Sequence, residues 1–205
     1  WIVPCLILWP VAAAAVMPFL RDRRVRSAAV YLAAGGVMAL AAALLGLWLG
    51  AGAPVMTLYA GTEAVDHLMT AGELFLMALI VVLCIRHRQY PVILLSVGQT
   101  GLLLWSETNH PVPAAFHMQI DCLTMLMCTI AAFVGGFICI YAVGYMKAYH
   151  EHHTEYAARS GFFFSMLFLF LGAMFGLVLC ENLVWMYFFW EITSVVSFLL
   201  IGYTK

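Results

Sequence analysis

Apolar runs long enough to cross a lipid bilayer recur from one end of this chain to the other, and nothing else in the sequence restricts its fold so severely. A helix rising ~1.5 Å per residue needs about 20 apolar residues to span a hydrocarbon core of ~30 Å. Reading for such runs bounded by charge predicts seven spans, at about Ile2–Leu20, Ser27–Leu49, Val65–Ile85, Pro91–Trp105, Ile120–Met146, Gly161–Cys180 and Asn182–Tyr203. Asp66, His67 and Glu73 interrupt the start of the third. The fourth is short, and reads as partly re-entrant or as matched by local thinning of the bilayer. Gly50–Thr62 mixes Gly, Pro and alternating apolar residues, the pattern of an extended loop or a small hairpin. The expected fold is an all-α integral membrane protein of about seven transmembrane helices.

Composition closes off the other classes. The chain is 65% hydrophobic and 9% charged, where an ordinary soluble domain is about 25% charged. A cleaved signal peptide does not account for this, because apolar segments continue to the last residues. A net charge of -1 gives no reason to expect a nucleic-acid partner. The six cysteines (Cys5, Cys84, Cys122, Cys128, Cys139 and Cys180) lie in or beside apolar runs with no CxxC spacing, so they read as small core-facing thiols and not as a metal site or disulfide framework. There is no Gly-rich phosphate loop and no Ser-His-Asp order, hence no hydrolytic or redox machinery in these residues.

Charge sets the expected orientation. All 9 Lys and Arg residues fall on one side of the seven-span arrangement. Arg21, Arg23, Arg24 and Arg26 follow the first span, and Arg86 and Arg88 the third. Lys147 and Arg159 flank the loop after the fifth, and Lys205 follows the seventh. The opposite loops hold Glu63, Glu107 and Glu181 without a base. The positive-inside rule then puts the N-terminus outside and Lys205 in the cytoplasm. The chain ends shortly after a span and shows no close internal repeat, so it reads as a compact seven-helix subunit or as the N-terminal part of a larger helical bundle.

Glu191 is the residue most able to carry chemistry. From Asn182 to Tyr203 it alone is formally charged, and it lies ~13 Å into that helix. Intramembrane acids usually mark ion or proton pathways. Helical spacing puts Ser194 beside it and Ser197 one turn further, where hydroxyls can hydrogen-bond the acid or hold a water. The plainer alternative is a neutral Glu that ties two helices together by a hydrogen bond. No Lys of this chain lies within a span, so a basic partner would come from elsewhere.

Weaker candidates surround it. Asp121, in HMQIDCLTMLM, stands where an acid can cap the fifth span and complement its dipole. Glu73 and Glu107, near the outer ends of the third and fourth spans, could line a vestibule, though wetted end residues are the simpler reading. The stretch KAYHEHHTEYAAR holds His150, Glu151, His152, His153 and Glu155 but no second ligand cluster, and reads as a solvated loop. His110 and His117 sit in the loop before the fifth span, where they could tune proton access near neutral pH. Aromatic residues crowd the last two spans, among them Phe168, Trp185, Tyr187, Phe188, Phe189 and Trp190, and packing explains most of them; nothing singles out a quinone slot.

From about Phe116 to Tyr203 the chain resembles the proton-conducting, antiporter-like subunits of the complex I superfamily. The resemblance rests on IDCLTMLM, IYAVGYM and FFFSMLFLFLGAMFGLVLCENLVWMYFFWEITSVVSFLLIGY, the last with its Trp190–Glu191 pair followed by SFLLIG. It implies that Glu191 is an acid of the proton pathway and that Asp121 matches the Asp of an Asp-Gly-Leu motif, with Cys122 in place of the usual Gly. The family's intramembrane lysines belong to later helices. Residues 1–115 would then be opening spans with an inserted helix pair (about Val65–Glu107), and residues 116–205 the N-terminal part of the antiporter-like domain. The insertion and the WEITS wording look more like the large membrane subunit of energy-converting nickel-iron hydrogenases, or like Mrp-type antiporters, than like the quinone-reducing respiratory enzyme. The resemblance implies a proton- or Na+-translocating subunit of a complex I-like redox-driven pump in a bacterial or archaeal cytoplasmic membrane. Its partners would be other membrane subunits and redox subunits, which would carry the iron–sulfur clusters and the nickel-iron or flavin groups. The alternatives are an Mrp-type cation/proton antiporter subunit without a redox partner, and a structural membrane anchor.

Overall fold

The computed structural model describes residues 2–58, 63–86, 88, 90–109, 118–152 and 159–202. Helix α1 (Ile2–Val16) runs into a 3₁₀ turn at Met17–Phe19, and α2 (Arg23–Gly50) follows. Strand β1 (Met56–Leu58), helices α3 (Glu63–Arg86) and α4 (Tyr90–Asn109), strand β2 (Met118–Ile120) and helices α5 (Cys122–His152), α6 (Ser160–Leu179) and α7 (Leu183–Ile201) complete the order.

Local chemistry sets several of these limits. Asp22, Asp121 and Asn182 each precede a helix, and their side-chain oxygens accept backbone N–H groups that have no partner inside the helix. The acceptors meet Arg24 N at 2.9 Å, Thr124 N at 2.7 Å and Val184 N at 2.9 Å. Pro18 stops α1, since it has no N–H to offer the carbonyl of Ala14 four residues back. The hydroxyl of Ser165, on α6, donates to that carbonyl at 2.6 Å instead. Past α2 the chain turns through Gly52 and Ala53, both at positive φ, and the Trp48 indole N–H closes the turn on Pro54 O at 2.9 Å.

Helices α1, α2, α5 and α6 pack in a ring, each against the next. One end of the core is filled by Leu6, Val37, Met125, Cys128, Phe175 and Leu179. The other end is filled by Met17, Val30, Ala34, Cys139, Phe164 and Phe168. Helix α7 lies against α6, α3 lies against α7, and α4 pairs with α3 as a hairpin. Large apolar side chains cover the outside, as at Leu32, Phe75, Leu94, Tyr141 and Ile201. This is the surface a lipid environment requires of a helical bundle, whose backbone is satisfied internally.

Among the described residues, six helices are long and apolar enough to cross a membrane by length and composition. The exception is α4, whose apolar stretch Ile93–Leu102 is shorter, in keeping with the short fourth run. The region after α2 is not a hairpin of its own. Its strand β1 pairs antiparallel with distant β2, Met56 opposite Ile120 and Leu58 opposite Met118, and Cys180 adds a bridge to Met118. These contacts bring the end of α2 and the starts of α5 and α7 to one face. The bases Arg21, Arg23, Arg24, Arg26, Arg86, Arg88, Lys147 and Arg159 lie at the other ends of the helices; Lys205 is outside the described residues. Part of the expected His-rich loop is helical, because α5 continues to His152. His153, Glu155, His110 and His117 fall outside the described residues.

Candidate intramembrane proton site

Helix α7 is held on two sides by adjacent aromatic rings. Phe189, buried with Trp185 one turn earlier, packs on α6 at Gly176, where a Cβ would come within 2.5 Å of the ring. Phe188 packs on α3 at Gly72, where a Cβ would come within 2.7 Å. Both close approaches need glycine on the facing helix, and together they fix the rotation of α7. The stripe left between the two contacts carries Tyr187, Glu191, Ser194 and Val195. These residues line a cavity of roughly 450 Å³, with Trp190 of the same helix, Ile80 of α3 and Gln99 of α4.

Glu191 lies ~12 Å along α7 from its first residue. Its Oε1 accepts the hydroxyl of Tyr187, one turn earlier. Its Oε2 is buried and has no hydrogen-bond partner among the described residues. One carboxyl oxygen is thus anchored and the other is buried without a described partner, on a residue that lines the cavity, an arrangement able to take up and release a proton.

The other expected residues fall into place differently. Ser194 lines the cavity, but its hydroxyl donates to Trp190 O at 3.1 Å, and Ser197 donates to Thr193 O at 2.7 Å. Both bond back along their own helix, as hydroxyls in helices commonly do, so the partner of Glu191 is Tyr187 and not a serine. Asp121 is the cap of α5 and is not among the cavity residues. Hydrogen bonds from the backbone and side chain of Thr124 hold its carboxyl below the usual carboxylate range. Glu73 is not a wetted end residue. It is 3% exposed and follows Gly72, which receives the ring of Phe188, the neighbour of Tyr187. The side chain of Glu107 lies outside the described part of the molecule.

The cysteines divide. Cys128, Cys139 and Cys180 are buried, whereas Cys5 and Cys122 face outward and depart from the core-facing expectation. Burial pushes the Cys180 thiol up to about 12. Among the described residues no three His, Cys, Asp or Glu side chains gather in a way that could hold a metal ion.

Sequence reasoning missed Tyr187 and Gln99. The helical spacing that selects Ser194 also selects Tyr187 in the opposite direction, but in the sequence the phenol is one of many packing aromatics. Gln99 is an amide within an apolar run, a signal of the same kind as Glu191 but weaker.

Residues 105–157 match the family model for the N-terminus of chain 5 of NADH-ubiquinone oxidoreductase (complex I). The chain is also similar to Na(+)/H(+) antiporter subunit A1 of Staphylococcus haemolyticus, 33% identical over 118 residues. That alignment covers 57% of this chain and 14% of the relative. For the protein of the same name in Staphylococcus aureus the identity is 35% over 90 residues, covering 44% of this chain and 10% of the relative. The chain therefore spans only a small fraction of the length of these relatives. Together the matches support an antiporter-like membrane segment similar to those of the complex I superfamily.

Proposed function

We propose that this chain is part of a subunit that moves protons across a membrane in exchange for a cation, with Glu191 as the acid that takes up and releases the proton. The observation that carries the reading is the Glu191 carboxyl itself, one oxygen held by Tyr187 and the other buried beside a cavity within a membrane helix. The bond from Tyr187 stays within α7, so it does nothing to join two helices, and the structural-anchor alternative loses its simplest form. Exchange with Na+ is favoured by the names of the relatives. In this mechanism a cation approaching Glu191, such as a lysine supplied from outside these residues, favours the carboxylate, and its departure favours the acid. The basic ends of the helices would face the cytoplasm of a bacterial cell.

A second reading, a redox-driven pump, is favoured by the match of residues 105–157 to a complex I domain. Its iron–sulfur, nickel-iron or flavin chemistry would reside in partner subunits. Both readings are tested on the assembled complex in liposomes. Under a Na+ gradient without electron donors, proton exchange is expected, and Glu191→Gln is expected to lower it roughly a hundredfold per assembled complex. A wild-type rate in that variant would overturn the role of Glu191. Proton movement that requires an electron donor would select the pump.

A further inference from the structure

Glu73 has no place in the reading above, yet among the described residues it is the one charged side chain in the buried polar set, which otherwise comprises Thr100, Ser160 and Ser165. An acid on a membrane helix that is removed from solvent calls for a functional account by default. Its position is set by the contact that docks α3 on α7. Gly72, its neighbour in sequence, receives the Phe188 ring, and Phe188 in turn follows Tyr187. Helices α3 and α7 both start from the face joined by the β1–β2 pair. Counting from those starts, Glu73 lies ~15 Å and Glu191 ~12 Å deep, so the two acids sit at nearly the same level. Tyr187 connects the two by position: its hydroxyl donates to Glu191, and it precedes Phe188, whose ring meets Gly72 beside Glu73.

We propose that Glu73 is the second acid of this site, passing a proton to and from Glu191 by way of the Tyr187 hydroxyl. The α3–α4 hairpin is thereby a working wall of the ion path. In the transfer step, the protonated Glu73 gives its proton to the Tyr187 oxygen as the Tyr187 O–H proton passes to the Glu191 carboxylate. Glu73 ends as the carboxylate, Glu191 as the acid, and the phenol is neutral before and after. One negative charge is kept between the two acids throughout, which avoids the cost of ionising both in a poorly solvated space. The inference rests on the role of Glu191 proposed above and adds the residue with which Glu191 exchanges its proton.

The test is proton exchange by the assembled complex in liposomes, with rates taken per assembled complex, for Glu73→Gln, Glu73→Asp and Glu191→Gln. The infrared carboxyl signal that changes on a pH jump is recorded alongside. Glu73→Gln is expected to slow exchange by roughly a hundredfold and to alter the infrared signal assigned to Glu191, with Glu73→Asp recovering part of the rate. If Glu191→Gln is inactive while Glu73→Gln exchanges at the wild-type rate with an unaltered Glu191 signal, the relay is wrong and the single-acid site stands. If Glu191→Gln is itself fully active, the underlying reading fails with it. Should Glu73→Gln not assemble, Glu73→Asp decides the matter: an assembled, wild-type-fast complex with an unaltered Glu191 signal would overturn the relay.

Discussion

Replacing Ser165 with alanine should weaken the bundle by a definite amount, and for a reason that lies on another helix. The carbonyl of Ala14 would ordinarily accept the N–H of residue 18, but that residue is proline. The Ser165 hydroxyl donates to the same carbonyl at 2.6 Å, in a position where Ser165 is 7% exposed. Removing the hydroxyl leaves a buried carbonyl with nothing to bond, a cost of about 1–3 kcal/mol in general. Hydrogen bonds between membrane helices average nearer ~0.6 kcal/mol, with a ceiling of ~1.7, because the unfolded chain in the bilayer finds other partners. The proline narrows that escape, as it denies the carbonyl its local donor in the unfolded helix too, so the expected loss is ~1.5 kcal/mol, near the upper limit. Unfolding in mixed micelles, followed by loss of helicity, measures it. The informative comparison is a double-mutant cycle with Pro18→Ala, which restores an N–H at the position that serves Ala14. In that background Ser165→Ala should cost under about 0.5 kcal/mol. An equal cost in both backgrounds, or none in the first, would refute the argument.

Further outcomes follow from the same geometry. Tyr187→Phe keeps the ring but removes the hydrogen bond to Glu191, a contact of about 1.5 kcal/mol or more when the acceptor is charged. Exchange should slow roughly a hundredfold, as for Glu73→Gln, because the same relay is cut, and an unaltered rate would mean that the phenol is mere packing. Asp121 is held below the ordinary carboxylate range by its bonds from Thr124. Its capping contribution is therefore complete at neutral pH and is lost as the pH falls through its lowered value. Asp121→Ala should reduce stability at neutral pH and flatten the acid side of the stability–pH curve; a curve parallel to the wild type would exclude the cap as its source.

Much of the fold could be read in advance because hydrocarbon imposes a length and a composition on whatever crosses it. The runs at Gly161–Cys180 and Asn182–Tyr203 anticipate α6 and α7 closely. The misjudged limits occur where a helix outlasts the membrane. α2 begins at Arg23 because Asp22 caps it, and α5 continues to His152 through residues that hydropathy treats as loop. The β1–β2 pair was invisible, since three-residue strands with far-apart partners leave no local period. Glu191 was conspicuous as a lone charge in an apolar run. The placement of Glu73 and Gln99 was not, because it depends on α3 docking against α7 through Gly72 and Phe188, a contact between helices distant in sequence.

The strand pair also has an architectural consequence. Met56–Leu58 and Met118–Ile120 lie side by side, so the chain leaves and re-enters the four-helix ring at nearly one point. Everything between, the α3–α4 hairpin included, hangs from the ring like a side branch from a clasp. The clasp holds α2 and α5 in register whatever is strung on it. A branch of this kind can be lengthened, shortened or exchanged while the ring stays closed, and in this chain the branch folds back to reach the helix bearing Glu191.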